Sequence, residues 1–221
     1  MVVNSAPDPV QALREEPGRT RRGRLWFFLV WIICAAPVVG SYLTFYVIRP
    51  SALSSFGELI TPQRDMPSVN ARELDGKSVT LDALKGQWLL ISVAGGACND
   101  GCQQHLYLQR QLRELMGREK HRMDWVWLVN DAQELAPAIL PALQSATVLR
   151  VADADLEKWL QASPGANLSD QLYVVDPLGR WMMRFPVGLD VANATKAKKD
   201  LARLLTASAS WDKAGRANNG N

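Results

Sequence analysis

The sequence predicts an α/β domain carried on one membrane-spanning helix. Three observations predict it: an apolar block from Leu25 to Ile48 without a charged side chain, strand and helix signals that alternate from residue 68 onward, and a cysteine pair set between a buried strand and a helix.

The apolar block has 24 residues. At about 1.5 Å per residue it outspans a hydrocarbon core of about 30 Å and crosses with some tilt. The apolar region of a cleaved signal peptide is shorter, about 7 to 15 residues. A lipoprotein-type site also wants a small residue where Ile33 precedes Cys34, so the block reads as an uncleaved anchor and Cys34 as a small apolar side chain within it. Arg14, Arg19, Arg21, Arg22 and Arg24 precede the block and only Arg49 follows it. The positive-inside bias then puts the N-terminus in the cytoplasm and the domain on the far side.

The net charge of +3 has a location. Residues 1–49 carry six basic and three acidic side chains, so the remaining 19 basic residues face 19 acidic ones. A neutral domain gives no electrostatic footing for nucleic acid. Residues 1–24, rich in Pro, Gly and Arg, are expected to be a disordered cytoplasmic tail, residues 49–67 a tether rich in Pro, Ser and Gly, and residues 207–221 a flexible tail. The folded domain is expected over residues 68–206.

Within it, Glu73 to Val79 holds the Asp75-Gly76 pair of a tight hairpin, whose two central residues need positive φ. Leu81 to Gly86 reads as one helical turn closed by glycine, leading into the apolar strand Trp88 to Ala94. The apolar run Trp125 to Val129 suits a buried central strand. Between these strands, Leu106, Leu108, Leu112, Leu115 and Met116 recur near helical spacing on a segment from Cys102 to Arg118. Pro137 and Pro141 interrupt a weaker helical pattern over Ala132 to Leu143, and Asp155 to Ala162 is a short helix. Leu172 to Val175 and Arg180 to Phe185 flank Asp176-Pro177-Leu178-Gly179, with Pro and Gly at the second and fourth turn positions of a hairpin. Val191 to Leu205 closes the domain as a helix.

The chemistry sits at Cys98 and Cys102, where the strand from Trp88 ends and a helix begins. Functional groups collect at such carboxyl ends of strands. The positive end of the helix dipole lowers a cysteine pKa there and favours the thiolate, as a nucleophile or a soft metal ligand. Three residues separate the cysteines, so they can close a disulfide across the first turn or grip one metal ion. A purely structural bridge is the plain alternative, but so short a loop removes little unfolded-chain entropy.

The hairpin, Leu81-Asp82-Ala83-Leu84-Lys85-Gly86, the apolar strand, Cys98-Asn-Asp-Gly-Cys102 and Tyr173-Val-Val-Asp-Pro-Leu-Gly179 resemble, in order and spacing, the Sco/SenC proteins. These are membrane-anchored thioredoxin-fold proteins that assist copper insertion into cytochrome c oxidase. The resemblance implies a thioredoxin-like fold, a central mixed sheet flanked by helices with an N-terminal β-hairpin, preceded by one transmembrane helix. It also implies thiol/disulfide exchange at Cys98 and Cys102, copper as the metal handled, an oxidase subunit or its assembly factors as partner, and the bacterial inner membrane with the domain in the periplasm.

Two departures matter. Gln103 stands where the family usually has proline after the second cysteine, and Asn167-Leu168-Ser169 stands where it has its histidine ligand. His105, three residues after Cys102, would lie one turn along the same helical face and is the candidate third ligand beside Cys98 and Cys102. Its plainer reading is a solvated surface residue, as is that of His121. Met182 and Met183 face opposite sides of a strand, so at most one joins a site, and packing is their expected role. The alternatives to a Sco-like role are a general periplasmic oxidoreductase of the TlpA/ResA kind, which has two residues between its cysteines, and a non-catalytic docking protein for an oxidase subunit.

The orientation is testable with a reporter active only outside the cytoplasm, fused after Asn221. Activity is expected, because the arginines before Leu25 fix the cytoplasmic end; signal from a cytoplasm-only reporter at the same junction would reverse the topology.

Overall fold

A computed structural model describes residues 17–44, 46, 55–210 and 212. The first part of the expected cytoplasmic tail, the start of the tether and most of the final segment lie outside the described residues. The chain divides into two units, Met1–Ser54 and Ser55–Asn221.

The described part of the first unit is dominated by helix α1, Pro17–Leu43. Within it Arg21–Leu43, with a mean hydropathy of 1.9, is long and apolar enough to cross a membrane. The helix starts earlier than the apolar block because proline suits a first helical position and arginine is a good helix former, so the basic segment continues the helix. Cys34 is a free, exposed cysteine on this helix.

The second unit is built on an eight-stranded mixed sheet in the order β1-β8-β7-β4-β5-β6-β2-β3. The strands are β1 Glu58–Asp65, β2 Asn70–Glu73, β3 Ser78–Thr80, β4 Trp88–Ala94, β5 Met123–Val129, β6 Thr147–Arg150, β7 Leu172–Val175 and β8 Arg180–Arg184. β4, β5 and β6 run parallel, and the other pairings are antiparallel. This is the thioredoxin-like arrangement that the resemblance implies, with β2 and β3 as the hairpin, although its turn differs from the expected one: only Gly76 has positive φ, and Glu73 N donates to Lys77 O at 2.9 Å around a wider loop.

Helices α2, Asp100–Leu115, and α4, Ala194–Ala207, cover one face. Leu108 and Leu112 of α2 and Leu201 and Leu205 of α4 pack there with Trp88, Leu90 and Val174. On the opposite face Leu156 and Trp159, from helix α3 (Asp153–Trp159), pack on Leu89, Ile91 and Tyr173. Alternate residues of β4 thus feed two cores, which is why the strand reads as a continuous apolar run.

Three elements depart from expectation. The tether expected over 49–67 ends in strand β1, an edge strand paired only with β8. Its largely exposed, polar face and Pro62 hide it from pattern reading, and an edge is where proline is tolerated in a sheet. Strand β6 has only four residues, too few for a period to register. The weak helix over Ala132 to Leu143 is a 3-10 helix at Pro137–Leu143, because Pro137 and Pro141 deny the amides that an α-helix needs.

Past residue 207 the chain is still held: Trp88 Nε1 donates to Ser208 Oγ at 3.0 Å and to Asp212 Oδ2 at 2.7 Å, and Arg122 Nε donates to Asp212 Oδ1 at 2.8 Å. On the α2 face, fully buried Gln109 fastens the helix to the sheet. Its Nε2 donates to Leu90 O at 2.7 Å and Val126 O at 3.0 Å, while its Oε1 accepts from Ser92 Oγ at 3.0 Å. Replacing it with leucine strips Ser92 of its partner in a dry setting, so Gln109→Leu is expected to lower the unfolding free energy by about 1–3 kcal/mol. Urea denaturation followed by circular dichroism reads this, and an unchanged midpoint would show that the amide is dispensable.

Candidate functional site

Where β4 ends, Gly95 and Gly96 turn the chain over the end of the sheet. A Cβ on Gly95 would lie 2.3 Å from Asp131 Oδ2, and one on Gly96 would lie 2.3 Å from the Gln133 main-chain oxygen. Only glycine fits beneath the loop that follows β5. Cys98 N donates back to Gly95 O at 3.1 Å, and Cys98 itself has a φ of 44°. It is the one non-glycine residue in the left-handed region among the described residues, a conformation that costs about 1–3 kcal/mol and concentrates at functional sites.

Helix α2 then starts under a side-chain cap, with Asn99 Oδ1 accepting from Cys102 N at 3.0 Å. Gln103 Nε2 donates to Cys98 O at 3.1 Å. This is a contact that proline, the usual residue of the Sco/SenC pattern at this position, cannot make, so the departure supplies a tie across the motif.

Cys98 and Cys102 are joined by a disulfide, with Cα atoms 5.1 Å apart. At 3% and 4% exposure both are enclosed. Ala94, Leu106, Trp125, Trp127, Val129, Leu143 and Val148 share their cluster. The enclosure comes from the connection between β5 and β6: it supplies Leu143 to the cluster, and its Leu135, Ile139 and Ala146 pack against it. Asp131 pins the start of this cover, its Oδ1 accepting from Gly96 N at 2.8 Å and Gln133 N at 3.2 Å. The rest fits less closely. A cavity of about 260 Å³ lies between α2 and the Pro137–Leu143 turn, lined in part by Leu106, Tyr107, Trp125, Ile139 and Leu143. A segment without regular ladders over such a cavity belongs to the low-stability end of a fold.

His105 is not the solvated residue expected from sequence; it is 7% exposed. Burial lowers its pKa, opposed by the Asp170 carboxylate and a hydrogen bond with the Ser169 main chain. The structure therefore sets His105 against the segment Asn167-Leu168-Ser169, where the Sco/SenC pattern places its histidine. The sequence signal was available in outline: a residue three after Cys102 shares the buried helical face. Among the described residues, no three His, Cys, Asp or Glu side chains gather as a metal-binding group. His121 is exposed. Met183 is buried and Met182 packs against the same cluster around Trp88 and Leu90, separate from the cysteines; the alternation expected of adjacent strand residues fails because the β7–β8 register shifts at Met182.

A family model described as "transmembrane-like, thioredoxin-like, C-terminal domain" matches residues 88–208. The search of curated proteins gives no match. Solved structures similar to this chain include a SCO1/SenC family lipoprotein from Bacillus anthracis, at 16% identity and a TM-score of 0.49, covering 68% of this chain and 99% of that one. Copper-bound yeast Sco1 gives 16% identity and a TM-score of 0.49, covering 69% and 96%. The thioredoxin domain of a thiol-disulfide oxidoreductase from Bacteroides vulgatus gives 16% identity and a TM-score of 0.44, covering 62% and 95%.

The glycine beneath the cover provides a test of enclosure. In Gly96→Ala the new methyl group forces the Gln133 main chain outward. Loss of about 1–2 kcal/mol from the closed state raises the open population about 5- to 30-fold, so dithiothreitol is expected to reduce the disulfide faster by that factor. An unchanged reduction rate in a folded Gly96→Ala protein would mean that the cover does not limit access.

Proposed function

The chain belongs to the family of transmembrane-like, thioredoxin-like C-terminal domains, and from that premise we propose that it is a membrane-anchored thiol/disulfide exchange protein serving cytochrome c oxidase assembly. The observation that carries the exchange reading is the disulfide between Cys98 and Cys102 at the junction of β4 and α2, with Cys98 in a left-handed conformation just before the helix cap. Its assignment to oxidase assembly rests on the Sco/SenC motif order.

The cycle balances with an external dithiol as the source of two electrons. That dithiol reduces the Cys98–Cys102 bridge and leaves as a disulfide. Cys98, one residue before the N-cap, lies where the helix dipole favours a thiolate, so its sulfur attacks one sulfur of the target disulfide. The target S–S bond breaks, the leaving thiolate takes up a proton, and a mixed disulfide remains. The Cys102 thiolate then attacks the Cys98 sulfur, regenerating the bridge and releasing the target as a dithiol. The cover must swing clear for the mixed disulfide to form.

Copper fits this site only in part. Once reduced, Cys98 and Cys102 offer two soft thiolates that suit Cu(I) as cargo, and burial keeps His105 in the neutral form that can ligate. In its present position the imidazole is enclosed beside Ser169 and Asp170, so His105 joins as third ligand only by a rearrangement at that turn. The arginines before Leu25 and the Sco/SenC resemblance support an anchor in the bacterial inner membrane with the domain in the periplasm.

The burial of both cysteines favours a second reading, a docking protein with an inert bridge. A reduction potential below about −300 mV would select it. The three-residue gap between the cysteines argues against a general TlpA/ResA-like oxidoreductase.

The deciding experiment uses the full-length protein in detergent. Reduced protein is expected to reduce a disulfide-bonded peptide stoichiometrically, with Cys98→Ser inactive, Cys102→Ser trapped as the mixed disulfide and Cys34→Ser unaffected. Anaerobic titration is expected to give Cu(I) binding that disappears in either active-site serine variant and weakens less than about tenfold, or about 1.4 kcal/mol, in His105→Ala. Failure of the reduced protein to exchange with any disulfide overturns the proposal.

A further inference from the structure

Away from the cysteines, one arrangement brings like charges together at a cavity. Arg72 of β2 lies directly opposite Arg150 of β6 in the antiparallel pairing, and Ser78 of β3 lies opposite Arg72. Like charges facing each other across strands repel. Neither guanidinium has an acidic partner among the ion pairs of the described residues. Arg150 Nη1 donates to the Asp131 main-chain oxygen at 2.8 Å, and Arg72 is exposed. Both border a cavity of about 740 Å³ whose lining includes Asn70, Ser78, Asn130 and Asp131. The one carboxylate in that lining is occupied elsewhere, accepting from Gly96 N and Gln133 N. Because the sequence from residue 50 onward is neutral, this pair is a local feature and not part of a broad positive surface.

The pair also shares a face with the disulfide. Val148, two residues before Arg150, packs in the cluster of Cys98 and Cys102, and side chains two apart on a strand point the same way. One row of paired residues runs Ala94, Val129, Arg150, Arg72, Ser78 across β4, β5, β6, β2 and β3. At about 4.8 Å between strands, Arg150 stands about 10 Å and Arg72 about 14 Å along that row from Ala94. An extended chain covers this in about three to four residues.

We propose that Arg72 and Arg150 bind an acidic side chain of the polypeptide that exchanges thiols at Cys98 and Cys102, a few residues along that chain from its reacting cysteine. The inference rests on the exchange reading for its substrate, but the binding site stands on its own geometry. Two planar guanidinium groups match a carboxylate in bidentate fashion, and a cavity this open admits a side chain together with its backbone. The arginines thus select among thiol proteins by a charge set apart from the sulfur.

The test uses full-length protein in detergent and three short peptides, identical except for Glu, Gln or Lys at about four residues from the cysteine. Binding is read by fluorescence anisotropy with serine in place of the peptide cysteine, and exchange separately with the disulfide-bonded forms. The Glu peptide is expected to bind about tenfold or more tightly than the Gln peptide, as for one good charged contact. Arg72→Gln, at a side chain with no hydrogen bond or ion pair among the described residues, is expected to remove most of that preference, and Arg72→Glu to shift it toward the Lys peptide. At about 1 M NaCl, where the Debye length falls to about 3 Å, the preference should shrink. Equal binding of Glu and Gln peptides, or an undiminished preference in Arg72→Gln, overturns the site, as does inorganic phosphate binding at the arginines without any Glu preference. Preferential Glu binding without exchange sinks the exchange reading and leaves the site standing; equal exchange rates and equal binding do the reverse.

Discussion

Everything in the domain depends on the burial of β4 from both sides. A strand with no exposed residue must have each face covered, so α2 and α4 close one side and α3 the other. Covering alone does not fix the helix along the strand. Gln109 does this, because a fully buried amide must find its partners within the protein, and it finds them on β4 and β5. With α2 held there, its first turn stands above the end of β4, and the cysteines have one place to be.

Where periodicity was long, the fold was legible in the sequence. The apolar runs of β4 and β5 and the leucine spacing of α2 marked the central layer, and Gly76 and Asp176-Pro177-Leu178-Gly179 marked two turns, the first with only Gly76 at positive φ. Elements set by tertiary pairing were not legible. β1 is polar, holds a proline and is a strand only because β8 offers it an edge; β6 is too short to show a period.

The site was legible by position and much less by environment. Cys98 and Cys102 were placed by the strand-to-helix junction. Nothing in their neighbourhood announces that a proline-interrupted segment more than thirty residues later will cover them. The same lack of periodicity that makes the cover unreadable gives it few internal ties. His105 shows the complementary error, since a lone polar residue on a helix usually faces water, whereas here it is 7% exposed and its face is turned to the Leu168–Asp170 turn.

Gly95 and Gly96 bind two distant parts of the sequence into one unit of inheritance. Since neither can gain a side chain without displacing Asp131 or Gln133, a lengthened or shortened β5–β6 connection would change what those two positions tolerate. Transplanting the cysteine motif alone into another scaffold would carry the sulfurs without their shelter. The transferable module is discontinuous, and residues 95–103 and 131–146 would have to travel together for the recipient to inherit the guarded chemistry.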